Sequence, residues 1–178
     1  MKKDATKQTL LKTAYLGMFL ALAMIFSYLE TLIPVIVAVP GIKLGLANGL
    51  ILIILYLYGP REAAVVSICR VVLSALMFSG LYALMYSAAG AVLSLLVMSL
   101  FYKKENVFSS IGIGMLGGVA HNMAQIAIAF FVTKTAGLAY YIPVLVVSGM
   151  LTGGFTGFLS KLVLGYLKKL KTTKEEFR

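Results

Sequence analysis

Long apolar stretches fill this sequence, and charged residues are almost confined to its two ends and to short turns between the stretches. Of the 178 residues, 61% are hydrophobic and 12% are charged, whereas a soluble domain has roughly 25% charged residues. A spanning helix needs about 20 apolar residues, so the length suffices for one membrane bundle without a second soluble domain. We therefore predict one all-α integral membrane domain over residues 1–178 with six transmembrane helices.

The predicted spans can be arranged so that most cations fall on one side of the bilayer. Arg61, the pair Lys103-Lys104 and the basic tails at about 1–9 and 168–178 lie on that side, and only Lys43 and Lys134 lie in loops on the other. Cytoplasmic loops are enriched in Lys and Arg, so we predict that both termini are cytoplasmic. This distribution accounts for the net charge of +10 without a nucleic-acid partner. The spans cover about 10–29, 46–58, 63–78, 81–102, 109–132 and 143–167.

The segment VPGIKLGLANG at 39–49 interrupts this pattern between the first and second spans. Pro34 and Pro40 break the apolar run, which predicts a re-entrant or capping loop. Irregular backbone at membrane depth is tolerated only where it is buried in protein or lines a cavity. Lys43 and Asn48 add a cation and an amide, so the segment is a candidate ligand cradle, with Glu30 close to it in sequence.

Arg70 lies near the middle of the third predicted span. A central arginine costs at least ~2.5 kcal/mol on insertion scales, so it must face water or a partner. Ser67 and Ser74 share its helical face. One interpretation is an arginine bonded to backbone carbonyls that holds two helices together. The other is a clamp for a carboxylate or phosphate.

His121, Asn122 and Gln125 form a polar group within the fifth span. Hydrogen bonds between helices explain such groups in many bundles. We favour a ligand site, because Arg70, Lys43 and Asn48 are further polar groups in the same apolar chain.

Small residues mark two helix faces. Ala14, Gly17 and Ala21 form a stripe on the first span, which predicts either packing within the bundle or docking of a separate membrane partner. Glycines in the sixth span, from Gly149 to Gly157, predict close packing on a neighbouring helix.

The chain resembles bacterial membrane proteins labelled heptaprenyl diphosphate synthase component I or Gx transporter. The resemblance is carried by Glu30, VPGIKLGLANG at 39–49, Arg70 with LSALMFSG at 73–80, SAAGAVLS at 87–94, GGVAHNMAQ at 117–125 and SGMLTGG at 148–154. It implies a location in the bacterial cytoplasmic membrane. In size and span count the family is similar to the substrate-binding S components of energy-coupling factor transporters.

The residues argue against catalysis of prenyl transfer. Asp4 is the only aspartate, whereas magnesium diphosphate is held by clustered carboxylates. The sequence contains no GxxxxGK[ST] phosphate-binding loop, so any ATP-driven step needs a partner. Single residues of cysteine and histidine, Cys69 and His121, exclude an internal disulfide and the usual Cys/His zinc site. We expect neither enzyme activity nor a cofactor.

Three functions are compatible with these features. The leading hypothesis is a substrate-binding transport subunit that captures an anionic or polar ligand and works with an ATPase-driven membrane coupling module. Its site gathers Glu30, Lys43, Asn48, Arg70, His121, Asn122 and Gln125. The alternative is a non-catalytic accessory protein of isoprenoid, quinone or flavin-linked metabolism. The third is a scaffold in which Arg70 pairs with Glu30.

Overall fold

The computed structural model describes residues 2–32, 45–104 and 107–176, with side chains described over 6–32, 45–104 and 107–169. Every regular element in this part of the chain is helical, which confirms the predicted all-α class. A π-helical turn, Ala75–Ser79, joins α3 to α4, and a 3₁₀ helix, Ala136–Tyr141, precedes α6. The α-helices are α1 Lys2–Leu32, α2 Asn48–Tyr58, α3 Pro60–Ser74, α4 Gly80–Phe101, α5 Ser110–Thr133 and α6 Ile142–Glu176.

Several helices are long and apolar enough to cross a bilayer, so the chain is a membrane protein. The described residues contain four such runs: Thr6–Leu32, Pro60–Phe101, Ser110–Thr133 and Ala136–Lys169. Because α3, the π-helical turn and α4 are continuous, they count as one run of 42 residues. Together with the short α2, which has only 11 residues, these runs make five apolar helical segments among the described residues, and the predicted count of six spans is not confirmed.

The long run reverses direction at Gly80. Its φ of 76° and ψ of 176° are not helical, and a positive φ is readily adopted only by glycine. As a result α3 packs against α4. The two helices together line an apolar recess of about 200 Å³, from Ala64 and Leu95 at one end to Val72 and Leu84 at the other.

The short helix α2 is the centre of the bundle, because it packs against all five other α-helices. Ile51, Leu52, Ile54 and Leu55 are almost fully buried. A helix that is apolar on every side is expected to be buried in this way. Its first turn lies against α6, where Ser160 Oγ donates to Gly49 O at 3.0 Å.

A seam of glycines joins α5 to α6. A Cβ atom on Gly114 would contact Gly153 O and lie 2.8 Å from Gly157 Cα, and one on Gly149 would lie 2.8 Å from Gly118 O. Backbone therefore meets backbone along this seam, as small residues permit between membrane helices. The predicted close packing of the glycines in the sixth span is confirmed.

One end of the bundle is basic. There Lys12, about three turns into α1, pairs with Glu62 at the start of α3, and the Lys12 ammonium lies 5.8 Å from the centre of the Tyr58 ring at the end of α2. Lys103 and Lys104 follow α4. The start of α2, with the polar residues described next, lies away from this end by the length of α2, about 16 Å.

Candidate functional site

Glu30, in the last turn of α1, is the first polar residue that the structure places at the start of α2. It is buried, with 3% of its surface exposed, and its Oε1 accepts a hydrogen bond from the backbone N–H of Leu46. Leu46 lies two residues before α2 begins. A carboxylate thus holds the end of the segment that was predicted to be a ligand cradle.

Arg70 enters the same region from α3. Its side chain is 2% exposed, its Nη1 donates to Ser27 Oγ of α1 at 3.3 Å, and Glu30 attracts it electrostatically. Within the described residues, its buried Nε and Nη2 atoms have no hydrogen-bond acceptor, and no backbone carbonyl accepts from the guanidinium. Leaving buried donors unsatisfied is costly, especially on a charged group. The guanidinium can therefore bind further acceptor oxygens.

Two glycines provide room for the imidazole ring of His121. A Cβ atom on Gly90 of α4 would lie 2.6 Å from Cε1 of the ring, and one on Gly45 would lie 3.1 Å from its Cδ2. Gly45 has a φ of 82°, a conformation that glycine adopts without strain. The ring is thus held between α4 and the residues that precede α2.

Asn48 reaches the same corner from the first turn of α2. A Cβ atom on Gly45 would lie 3.0 Å from Asn48 Nδ2, and this buried amide nitrogen has no acceptor among the described residues. His121 and Asn48 therefore meet at Gly45, while Glu30 binds the neighbouring Leu46. Glu30, His121 and Asn48 thus lie against two consecutive residues, Gly45 and Leu46, and Arg70 is linked to them through its electrostatic attraction to Glu30.

Asn122 hydrogen-bonds to α6 and not to the residues at the start of α2. Its Nδ2 donates to Leu145 O at 2.8 Å and to Ser148 Oγ at 3.1 Å, both in α6. The interpretation as an interhelical hydrogen bond therefore fits this residue. Gln125, one turn after His121 on α5, is completely buried.

The predicted site residues and those that the structure brings together differ in part. Lys43 lies outside the described residues. Ser27, Gly45 and Gly90 were not singled out from the sequence, although Ser27 stands one helical turn before Glu30 and shares its face. The glycines have no such signal, because their role depends on which ring packs beside them.

Among the described residues, nothing packs closely against the stripe on α1. Ala14, Gly17 and Ala21 are exposed, and no atom lies within 4 Å of a Cβ built on Gly17. Packing within the same bundle is therefore wrong for these residues, and docking of a partner stays a prediction.

No group of three or more His, Cys, Asp or Glu side chains in the described ranges could hold a metal ion. The proposed site itself offers the guanidinium of Arg70, the carboxylate of Glu30 and the N–H donors of the nearby amide and imidazole side chains. This set is suited to binding an oxygen-rich molecule.

A family model described as heptaprenyl diphosphate synthase component I matches residues 19–163. This range contains all seven residues proposed to bind substrate. No curated protein matches the chain, and no solved structure does.

Proposed function

Because the chain belongs to the heptaprenyl diphosphate synthase component I family, we propose that it is a non-catalytic membrane component that binds a small anionic or polar molecule. The site lies at the start of α2. In the leading version of this proposal the chain is the substrate-binding subunit of a transporter, similar in role to an S component.

The observation that carries the proposal is the buried guanidinium of Arg70. Its recorded acceptor is a serine hydroxyl at 3.3 Å, while Nε and Nη2 have no acceptor in the described part of the chain. A carboxylate or phosphate can accept two parallel hydrogen bonds from one guanidinium. Such an anion would offset the cost of burying Arg70 in an apolar bundle.

The neighbouring groups then have distinct roles. Asn48 and His121 offer hydrogen bonds at the Gly45 corner, and Gln125 extends this polar surface along α5. Glu30 positions Arg70 by electrostatic attraction and holds the backbone of Leu46. Lys43, outside the described residues, would add positive charge in the predicted capping loop. Asn122 supports the site by fixing α5 to α6.

Transport requires an arrangement across the membrane and a source of energy. We propose that all six α-helices lie across the bilayer with the basic end and both termini in the cytoplasm, in line with the distribution of Lys and Arg. An ATPase-driven coupling module would supply the energy. The exposed stripe Ala14, Gly17 and Ala21 is the proposed contact with its membrane subunit.

The family description favours a second candidate function. It denotes one component of a synthase for a prenyl diphosphate, so the chain could serve as a membrane accessory subunit in isoprenoid or quinone metabolism. The ligand near Arg70 would then be a diphosphate or a quinone. A purely structural scaffold would need no ligand at all.

The test is mass spectrometry of the gently purified protein and an R70Q variant. We expect a small molecule to copurify with the natural protein and to fall at least about tenfold in R70Q, since a charge-assisted pair contributes roughly 1.5–3 kcal/mol. R61Q is the matched control, because Arg61 lies in the first turn of α3, at the basic end. Equal ligand content in R70Q and the natural protein would refute the site.

The partners that copurify distinguish the two functions. A soluble metabolite with an ATPase and a helical membrane protein supports the transport subunit. A prenyl diphosphate or quinone with a synthase subunit supports the accessory role instead.

A further inference from the structure

A second recess lies at the basic end of the bundle, away from the polar cluster at the start of α2. It has a volume of about 530 Å³, within the range of roughly 300–1,000 Å³ that is usual for small-molecule sites. It is lined by Tyr56, Leu57, Phe108, Ser109, Ser110, Lys161, Leu164, Leu167 and Lys168.

The two lysines share one face of α6. They are seven residues apart, which is nearly two helical turns and about 10 Å along the axis. Leu164 lies between them on the same face and also lines the recess. Lys161 therefore stands deeper in the apolar part of the bundle than Lys168, which is close to the end of the candidate span at Lys169.

The lining of the recess places positive charge beside apolar surface. Lys161 and Lys168 contribute two ammonium groups, and none of the lining residues that the structure describes is an aspartate or glutamate. Leu57, Phe108 and Leu167 contribute apolar surface beside them. A negatively charged head with an apolar tail matches both parts, and basic pockets between membrane helices bind anionic lipid head groups in this way.

We propose that this recess is a binding site for an anionic phospholipid of the bilayer. The phosphate lies between Lys161 and Lys168, and the first part of an acyl chain packs on Leu57, Phe108 and Leu167. Lys161 is exposed and lies beside Ser109 and Ser110 at the start of α5, so its ammonium is accessible to a lipid phosphate. This proposal is independent of the ligand at Arg70.

Tryptophan fluorescence can measure this binding in the full-length protein, because the natural sequence contains no tryptophan. F108W places a reporter in the recess by exchanging one aromatic ring for another. F131W is the matched control, because Phe131 lies near the far end of α5, away from the recess, and is 75% exposed. Both are reconstituted in vesicles that contain brominated phosphatidylglycerol or brominated phosphatidylcholine as quencher.

We expect the apparent affinity of F108W for brominated phosphatidylglycerol to exceed that for brominated phosphatidylcholine at least about fivefold. The two lipids should quench F131W equally within about twofold. Adding K161Q and K168Q to F108W should remove the preference, whereas K103Q and K104Q, which remove the same charge outside the recess, should leave it.

Three results would overturn the proposal: equal quenching of F108W by both lipids, a preference that survives K161Q/K168Q, or equal loss in the K103Q/K104Q control. Displacement of brominated phosphatidylglycerol by a smaller amount of a short prenyl diphosphate would also overturn it, since the recess would then prefer a diphosphate to a phospholipid. Circular dichroism and thermal unfolding of each variant establish that the bundle is folded.

Discussion

At the scale of single residues, the bundle combines buried polar side chains with glycines that give them room. His121 shows this most directly, since its ring occupies the space that side chains at Gly45 and Gly90 would need. The ring is 2% exposed and connects α5 to both α4 and the start of α2. The position of the His121 ring therefore depends on Gly45 and Gly90, which have no side chain.

G90A tests this dependence. The new methyl group would lie 2.6 Å from Cε1 and 2.7 Å from Nδ1 of His121, and overpacking of this kind costs about 1–3 kcal/mol. We expect a lower midpoint of thermal unfolding in detergent and weaker ligand retention.

G17A is the control, because nothing lies within 4 Å of its added methyl group. In the double variant G90A/H121A the clash is absent, so we expect its unfolding midpoint to lie close to that of H121A alone. A G90A protein as stable as G17A would show that His121 does not occupy this space.

At the scale of elements, α2 and the α5–α6 pair set the position of the site. The central α2 ends at the basic end and begins at the polar cluster, so its register fixes the positions of Asn48 and of the preceding residues Gly45 and Leu46. The glycine seam fixes α5 against α6, and α5 in turn carries His121 and Gln125. A shift along the seam would therefore move half of the proposed site.

G114A tests the seam. Its methyl group would contact Gly153 O and lie 2.8 Å from Gly157 Cα, and backbone cannot move aside as a flexible side chain can. We expect α5 and α6 to separate, with a loss of about 1–3 kcal/mol of stability measured by denaturant unfolding.

G112A is the matched control on the same helix. The nearest atom to its added methyl group is Ser109 Oγ at 3.8 Å, an ordinary contact distance. Because alanine has the higher helix propensity, we expect G112A to be at least as stable as the natural protein. A G114A protein as stable as G112A would show that Gly114 does not form a tight backbone contact with α6.

At the scale of the whole molecule, the sequence predicts the helical class and the burial of polar residues better than it predicts their partners. An arginine within an apolar span predicts a buried charge that needs a partner, and this can be inferred without knowing which residue the partner is. The assignment of Asn122 to Leu145 and Ser148 in α6 depends on the packing of α5 against α6. Periodicity identifies a face of a helix, but it does not identify the helix that the face meets.

The number of spans depends on α3 and α4. A straight helix of 42 residues would extend about 63 Å, roughly twice the 30 Å thickness of the hydrocarbon core. The reversal at Gly80 instead gives two antiparallel legs. If each leg crosses the bilayer, Ser79 lies at the surface opposite the basic end, as does Thr135 between α5 and α6.

Cysteine labelling decides between these arrangements. In a C69S background, which removes the only natural cysteine, we expect S79C and T135C to react with a membrane-impermeant maleimide in intact cells. K104C should react only after the cells are permeabilised, because it lies at the proposed cytoplasmic end. If Pro60–Phe101 crossed only once, Ser79 would lie near the middle of the bilayer and S79C would stay unlabelled under both conditions. The six-span arrangement would then be wrong.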